Sequence, residues 1–189
     1  MRPAWHQLIL KVILTVSILG GCCPLSWGES PTVNESLLKA TFILQLVQFT
    51  DWPTNAEQWV VGVVGDTPLE ADIQRMAREM ETLLHKRFRI VHYTKLSPLP
   101  ESPHLLFIGE TVKVTADALR RWIGKQPILT ISGQADFIQQ CGMVRLFVES
   151  QRMQMEINPQ QAERQQIKIS SKLLRLARIH KEGENYPCR

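Results

Sequence analysis

Short apolar runs alternate along the chain with segments whose apolar residues recur at helical spacing. Continuous apolar runs are typical of strands buried on both faces, and a spacing of three and four residues is typical of amphipathic helices. Strands are predicted at 59–65, 88–93, 104–108, 128–132, 143–148, 153–157 and 167–169. Helices are predicted at 37–49, 69–86, 115–122, 159–165 and 172–180. The alternation predicts an α/β fold: a single domain with a mainly parallel sheet flanked by helices, and with a C-terminal hairpin, turning at Ser150 and Gln151, and a final helix.

Residues 1–28 have the pattern of a signal peptide. Their apolar run over 8–20 is shorter than the roughly 20 residues that a membrane-spanning helix needs. Two processing sites remain open. Cleavage after Gly28 would release a free periplasmic protein, whereas the letters LGGC, which end at Cys22, resemble a lipoprotein box and would leave the protein lipid-anchored through Cys22. In either case the residues after the leader are expected to form one exported domain in the periplasm. With cleavage after Gly28, this domain spans residues 29–189.

The composition is that of an ordinary globular protein, with 44% hydrophobic and 21% charged residues in a chain of 189. Such a chain is long enough to build a core without disulfide support. The net charge is +4, and two of the positive charges, Arg2 and Lys11, lie in the predicted leader. The remaining excess is too small for the clustered basic face that nucleic-acid binding requires, so no nucleic-acid partner is expected.

The common catalytic motifs do not occur in the sequence. It contains no GxSxG elbow, no HExxH pair, no Walker loop and no GxGxxG turn. Its histidines do not have metal-ligand spacing. The sequence therefore predicts no catalytic residue, no metal site and no cofactor.

Two features are candidates for a partner-binding surface. Trp52 lies at a predicted helix end beside a rigid proline, and indole side chains are enriched at interfaces. Lys172, Arg175 and Arg178 fall on one side of the predicted last helix, where they could bind an acidic partner or a phosphate. Each feature has an ordinary alternative, because such an indole is often packed inside and such a basic row is often only solvated.

A ligand pocket is the second candidate site. Gly65, Asp66 and Thr67 follow a predicted buried strand, where α/β folds place ligand-binding residues. Ser170 and Ser171 begin the predicted last helix and would offer backbone N–H groups to an anion. A tight strand-to-helix turn and ordinary helix capping would account for the same residues.

Cys141 and Cys188 are the two cysteines that lie beyond residue 28. In an oxidising compartment they could form a disulfide. A buried Cys141 with a free thiol near the chain end is equally compatible with the sequence, so both states remain open.

An ordered set of segments resembles the YfiR-like family of periplasmic proteins. The segments cover 37–179 and read LLKATFILQLVQFTDWP, WVVGVVGDTPL, PHLLFIG, ILTISGQADFIQQCGMVRLFVESQRMQMEIN and IKISSKLLRLARI. Their order, more than any one of them, carries the resemblance. The chain departs from the family at Cys141-Gly142, where members usually have paired glycines, and it has fewer cysteines after its leader than the best-understood type.

The resemblance implies a non-enzymatic regulator that represses a membrane-bound diguanylate cyclase by binding the periplasmic sensory domain of that enzyme, under the influence of cysteine redox state. It also implies a homodimer, and a partner that is an inner-membrane diguanylate cyclase or another sensor protein. The alternative is a periplasmic small-molecule binding module that acts as a sensor or a transport accessory.

Overall fold

The central strands form from β-branched and large apolar residues, which suit burial on both faces of a sheet. The computed structural model describes residues 35–53, 55–95, 102–183 and 188. The chain divides into two units, Met1–Thr32 and Val33–Arg189, and all described residues belong to the second. The predicted leader 1–28, both processing sites and Cys22 lie outside the described residues.

Helices and strands alternate over the described residues. The helices are α1 (Glu35–Gln45), a 3₁₀ helix (Leu46–Gln48), α2 (Leu69–Leu84), α3 (Ala116–Ile123), α4 (Pro159–Arg164) and α5 (Ser171–Leu174). The strands are β1 (Thr50–Asp51), β2 (Gln58–Val64), β3 (Arg87–Tyr93), β4 (Leu105–Ile108), β5 (Leu129–Ser132), β6 (Val144–Glu149), β7 (Arg152–Ile157), β8 (Lys168–Ile169) and β9 (Arg178–Ile179).

Seven strands form one sheet in the order β3-β2-β4-β5-β6-β7-β9. Strand pairs from β3 through β6 are parallel, β6 and β7 form an antiparallel hairpin, and β9 runs parallel to β7. Val61, Leu105 and Leu129 are in register across β2, β4 and β5, and each is fully buried. The predicted α/β class with a mainly parallel sheet is confirmed.

Alternate residues of the central strands supply two separate layers of core. On β4, Leu105 and Phe107 belong to the layer that includes residues of α1, α2, α4 and α5. Leu106 and Ile108 belong to the opposite layer, which includes residues of α3. This alternation is expected when side chains point to opposite faces along a strand, and it leaves both faces of the parallel strands covered.

The β6–β7 hairpin turns at the predicted residues. Ser150 and Gln151 have φ values of 50° and 60°, which is the left-handed geometry of a two-residue type I′ turn. Glu149 pairs with Arg152, and the ladder continues to Val144 opposite Ile157. The turn therefore fixes the register of the hairpin.

The prediction of a last helix over 172–180 is wrong. Helix α5 ends at Leu174, and Arg178 and Ile179 form β9 beside Glu156 and Ile157. The helical spacing of the apolar residues does not match a buried face, because Leu176 is 81% exposed. Backbone pairing with β7 therefore outweighs the local helical pattern, and Arg178 does not share a helix with Lys172.

The predicted first helix is also shorter than expected, because α1 ends at Gln45 and its continuation is a 3₁₀ turn. Strand β1 was not predicted from the sequence. It forms a two-stranded sheet with β8, in which Thr50 pairs with Ile169. The Ser170 N–H donates to the Phe49 carbonyl over 2.8 Å. These contacts hold the start of α5 against the end of the 3₁₀ helix.

Cys141 and Cys188 form a disulfide, with their Cα atoms 5.4 Å apart. Cys141 has a φ of 69°, a conformation that favours glycine. A Cβ atom on the neighbouring Gly142 would lie 2.3 Å from the Phe137 ring. The backbone thus accounts for paired glycines at 141 and 142, and in this chain the cross-link accompanies a strained cysteine at the first of them.

We expect Cys188→Ser to lower the free energy of unfolding by about 3–4 kcal/mol, since the cross-link no longer closes a long loop. In that background, Cys141→Gly should be more stable than Cys141→Ala by about 1 kcal/mol, because alanine is strained at positive φ. Urea unfolding of the unmodified protein and of the three variants measures both differences. Equal stability of the glycine and alanine variants would contradict the strain at position 141.

Candidate functional site

An apolar groove lies between α1, β7 and α5. Phe42 of α1 and Phe49 after the 3₁₀ helix line one side, Met153 and Met155 of β7 line the floor, and Leu176 after α5 lines the other side. The volume of the groove is about 380 Å³. Its lining is mainly apolar, which suits a protein segment or another apolar group better than a charged small molecule.

The outer edge of β7 borders this groove and is largely unpaired. The Ile157 carbonyl accepts a hydrogen bond of 2.8 Å from the His180 N–H on the β9 side. Because backbone groups alternate in direction along a strand, the N–H groups of Met153 and Met155 point to that same side. β9 pairs only with Glu156 and Ile157, so in the described part of the chain no strand lies beside residues 152–155 there.

Exposed apolar side chains are concentrated around this edge. Of the four large apolar residues that are most exposed in the described ranges, Leu176 lines the groove, and Val148 and Ile179 pair with residues of β7. The fourth, Leu83, is 74% exposed at the end of α2 and does not line the groove. Single exposed apolar residues are common in proteins, but three in or next to β7 and its groove indicate an interaction surface.

Two of the predicted partner-binding cations lie at the groove. Lys172 lines it, and Arg175 is exposed one residue before Leu176. Within the described residues neither cation forms an ion pair. Arg178 is placed differently: it pairs with Glu149 across the sheet edge, and its guanidinium lies 5.3 Å from the centre of the Phe147 ring.

Trp52 belongs to an aromatic cluster and does not line the groove. Its indole N–H donates to the Pro127 carbonyl over 3.0 Å, and its ring centre lies 4.8 Å from that of Trp59. The His104 ring lies 4.9 Å from Trp59. Since Trp59, His104 and Pro127 lie at or before the starts of β2, β4 and β5, the cluster closes the amino ends of the parallel strands.

A second cavity, of about 460 Å³, opens at the carboxyl ends of β2 and β4. Asp66 and Thr67, two of the residues predicted for a ligand pocket, line it together with Glu110 and Thr111 after β4. The chain leaves β2 toward β3 on one side, while β4 lies on the other side, so this is the point where the strand order reverses. Ligands of α/β proteins commonly bind at such a crevice.

Gly65 shapes the approach to this cavity without appearing in its lining. It has a φ of 79°, and a Cβ atom there would lie 2.3 Å from the Val112 side chain. Both the backbone conformation and the close approach therefore require glycine at the turn after β2.

The ammonium group of Lys39 lies in the cavity between two carboxylates. Its Nζ atom is 2.9 Å from Glu35 and 3.1 Å from Glu110. Burial alone would lower the pKa of Lys39, but the hydrogen bonds and charges of these glutamates outweigh burial and raise that pKa above its ordinary value of 10.5. With Asp66, the cavity has three carboxylates against one ammonium, so its net charge is negative.

Ser170 and Ser171, for which the sequence also predicts a place in the ligand pocket, do not line this cavity. The Ser170 hydroxyl accepts a hydrogen bond of 3.3 Å from the Leu173 N–H and caps α5. Ser171 is the exposed first residue of that helix. The structure thus brings Asp66 and Thr67 together with Glu110 and Thr111. It places the two serines at the start of α5, which borders the apolar groove.

Sequence reasoning missed Glu110 and Thr111, although they follow the buried strand HLLFI as Asp66 follows WVVGVVG. Recognising that adjacent parallel strands end at one edge would have grouped them. The groove residues Phe42 and Met153 had no comparable signal, since they are ordinary apolar positions far apart in sequence.

Across the residues that the structure describes, no group of three or more histidine, cysteine or acidic side chains is arranged to hold a metal ion. In the same ranges, no helix is both long enough and apolar enough to cross a membrane.

Comparison with known families gives one match. The model of the family described as YfiR/HmsC-like matches residues 36–178, which is more than half of the chain and includes nearly all of the groove and the cavity. This confirms the resemblance seen in the sequence. No curated protein matches the chain.

We expect Glu110→Gln to lower the free energy of unfolding at neutral pH by about 0.5–1 kcal/mol, because Lys39 loses one of its carboxylate partners. A raised lysine pKa contributes stability that is complete below pH 10.5 and is lost as the pH rises through the raised value. The difference from the unmodified protein should therefore disappear at strongly alkaline pH.

Urea unfolding at both pH values tests this expectation, with the exposed Glu163→Gln as the control. An equal loss at neutral and strongly alkaline pH would show that Glu110 stabilises the fold by something other than the charge of Lys39.

Proposed function

The chain belongs to the YfiR/HmsC-like family, and we propose that it is a periplasmic regulator which binds the sensory domain of an inner-membrane signalling enzyme and holds that enzyme inactive. By family resemblance the enzyme is a diguanylate cyclase. The predicted leader supports export to the periplasm, and the regulator itself is proposed to be non-enzymatic.

The apolar groove beside β7 is the observation that carries this proposal. It combines apolar walls with Leu176, a leucine that is 81% exposed. A protein partner that covered Leu176, Val148 and Ile179 would remove this apolar surface from water, which is the main source of affinity at interfaces. Lys172 and Arg175 would lie at the rim, where charge steers association and selects the partner more than it adds affinity.

The remaining predicted contact residues are assigned indirect roles. Arg178 is tied to Glu149 and would support β9 at the margin of the surface. Trp52 would act by holding the amino ends of the strands, since its indole is engaged with Pro127 and Trp59.

Repression follows from unequal binding to two states of the enzyme. A bound regulator shifts an equilibrium only by the difference between its affinities for the active and inactive conformations. To reverse a strongly active population it would need an affinity ratio on the order of 10⁴. A ligand, or a change at the Cys141–Cys188 disulfide, would release the enzyme by lowering the affinity of the regulator for the inactive conformation.

Site-specific photo-cross-linking tests this surface. A photoreactive residue at position 176 of the exported protein, in its native envelope, should capture an inner-membrane protein with a periplasmic domain and a cytoplasmic signalling domain. The same residue at position 83 is the matched control, because Leu83 is similarly exposed but lies outside the groove. Leu176→Asp should weaken binding of that partner about tenfold or more and raise cellular cyclic-di-GMP, whereas Leu83→Asp should change neither.

Capture of the same proteins from positions 176 and 83, or unchanged signalling in a folded Leu176→Asp protein, would contradict the proposed surface. Capture of a second copy alone at position 176 would show that the groove is the interface of the homodimer that the family leads us to expect.

The cavity after β2 and β4 favours a second candidate function, a small-molecule binding module. Its place where the strand order reverses is the supporting observation. With Glu35, Asp66 and Glu110 against Lys39, it suits a ligand that has an amino group better than one that has only a phosphate.

In a thermal-shift screen, free amino acids that bind the cavity should raise the melting temperature in a concentration-dependent way. Asp66→Asn should reduce that shift, and the exposed Asp136→Asn should not. A screen in which no amino acid stabilises the protein, or in which the two variants respond alike, would count against this second function.

A further inference from the structure

We propose that the partner contributes an extended segment to the groove, where it adds a strand to the open edge of β7. This inference rests on the proposed function and specifies how the partner is recognised. It concerns residues 152–155 of β7, the part of the edge that β9 leaves unpaired.

The first argument is the backbone of β7. The N–H groups of Met153 and Met155 point away from β6, and the pairing with β9 begins only at Glu156. Such a row of unpaired backbone groups is a template for another strand. Four residues of free edge span roughly 13 Å, enough for a short strand.

The second argument is the position of the groove against this edge. Met153 and Met155 belong to the unpaired edge and also form the floor of the groove. Side chains of an added strand alternate between the two faces of the sheet. Those on the inner face would enter the space between Phe42, Phe49 and Leu176, so the segment should have an apolar residue at every second position.

The third argument is charge, which selects the occupant. Arg152, Lys172 and Arg175 are exposed around the edge, and no ion pair of theirs occurs among the described residues. The two acidic residues of the hairpin, Glu149 and Glu156, are engaged by Arg178 and Arg145. A second copy of this chain would bring the same three cations to the edge, where they would repel. An apolar segment flanked by acidic residues is complementary to this rim.

The test compares two substitutions at one position. Met153→Pro removes the outward N–H, and proline is tolerated at an edge position whose N–H does not pair within the sheet. Met153→Leu keeps the N–H and nearly the same apolar volume. The probe is the purified periplasmic domain of the membrane protein that cross-links at position 176, titrated by calorimetry against each exported full-length variant. Met153→Pro should weaken binding about tenfold or more, and Met153→Leu by less than about threefold.

Amide hydrogen exchange gives an independent readout in the unmodified protein, and it decides the question if Met153→Pro does not fold. On binding the probe, the amides of Met153 and Met155 should exchange at least about tenfold more slowly. Amides on the outer side of β3, the opposite edge of the sheet, should exchange at an unchanged rate.

The other outcomes are distinguishable. If Leu176→Asp abolishes binding but Met153→Pro does not and both amides exchange as before, strand addition is wrong and the groove remains the docking surface. If no membrane protein cross-links at position 176, the proposed function itself fails. If the amides become protected in the protein alone as its concentration rises, a second copy occupies the edge and the acidic partner segment is wrong.

Discussion

The burial of β2, β4 and β5 on both faces is the constraint on which the rest of the structure depends. Parallel strands of this kind need helices above and below, so α1 and α2 cover one face and α3 covers the other. The two ends of these strands are then either covered by side chains or open to a cavity. The Trp52–Trp59–His104 cluster closes the amino ends, while the carboxyl ends open into the negatively charged cavity.

The sequence predicted the central part of the molecule well because those elements depend mainly on local pattern. The run WVVGVVG is short, rich in valine and followed by a turn, and these features favour a buried strand over a buried helix. The last helix failed for the converse reason. Residues 172–180 have helical spacing, but the end of this segment forms β9 because it pairs with the edge of β7. The sequence of the segment contains no signal that this edge is available for pairing.

The two candidate sites also differ in how far they can be predicted from the sequence. Asp66 and Thr67 could be predicted because the end of a parallel strand is a recognisable place in any α/β fold. The groove could not, since it is assembled from the first helix, the hairpin and the last helix. The charge of Lys172 and Arg175 marks them in the sequence as candidates for a binding surface, whereas the apolar residues that line the groove look like ordinary core residues.

The two-residue turn at Ser150 and Gln151 has an effect beyond joining β6 to β7. Alternate residues of a strand point their backbone N–H and C=O groups to opposite sides, and the turn determines which residues of β7 face inward to β6. One residue more or fewer in the loop would exchange the two sets, so that Gln154 would occupy the outward position now held by Met153 and Met155. Such a shift also turns every side chain of β7 to the opposite face of the sheet, so an insertion at this turn would remove Met153 and Met155 from the groove while it changed the backbone groups at the edge.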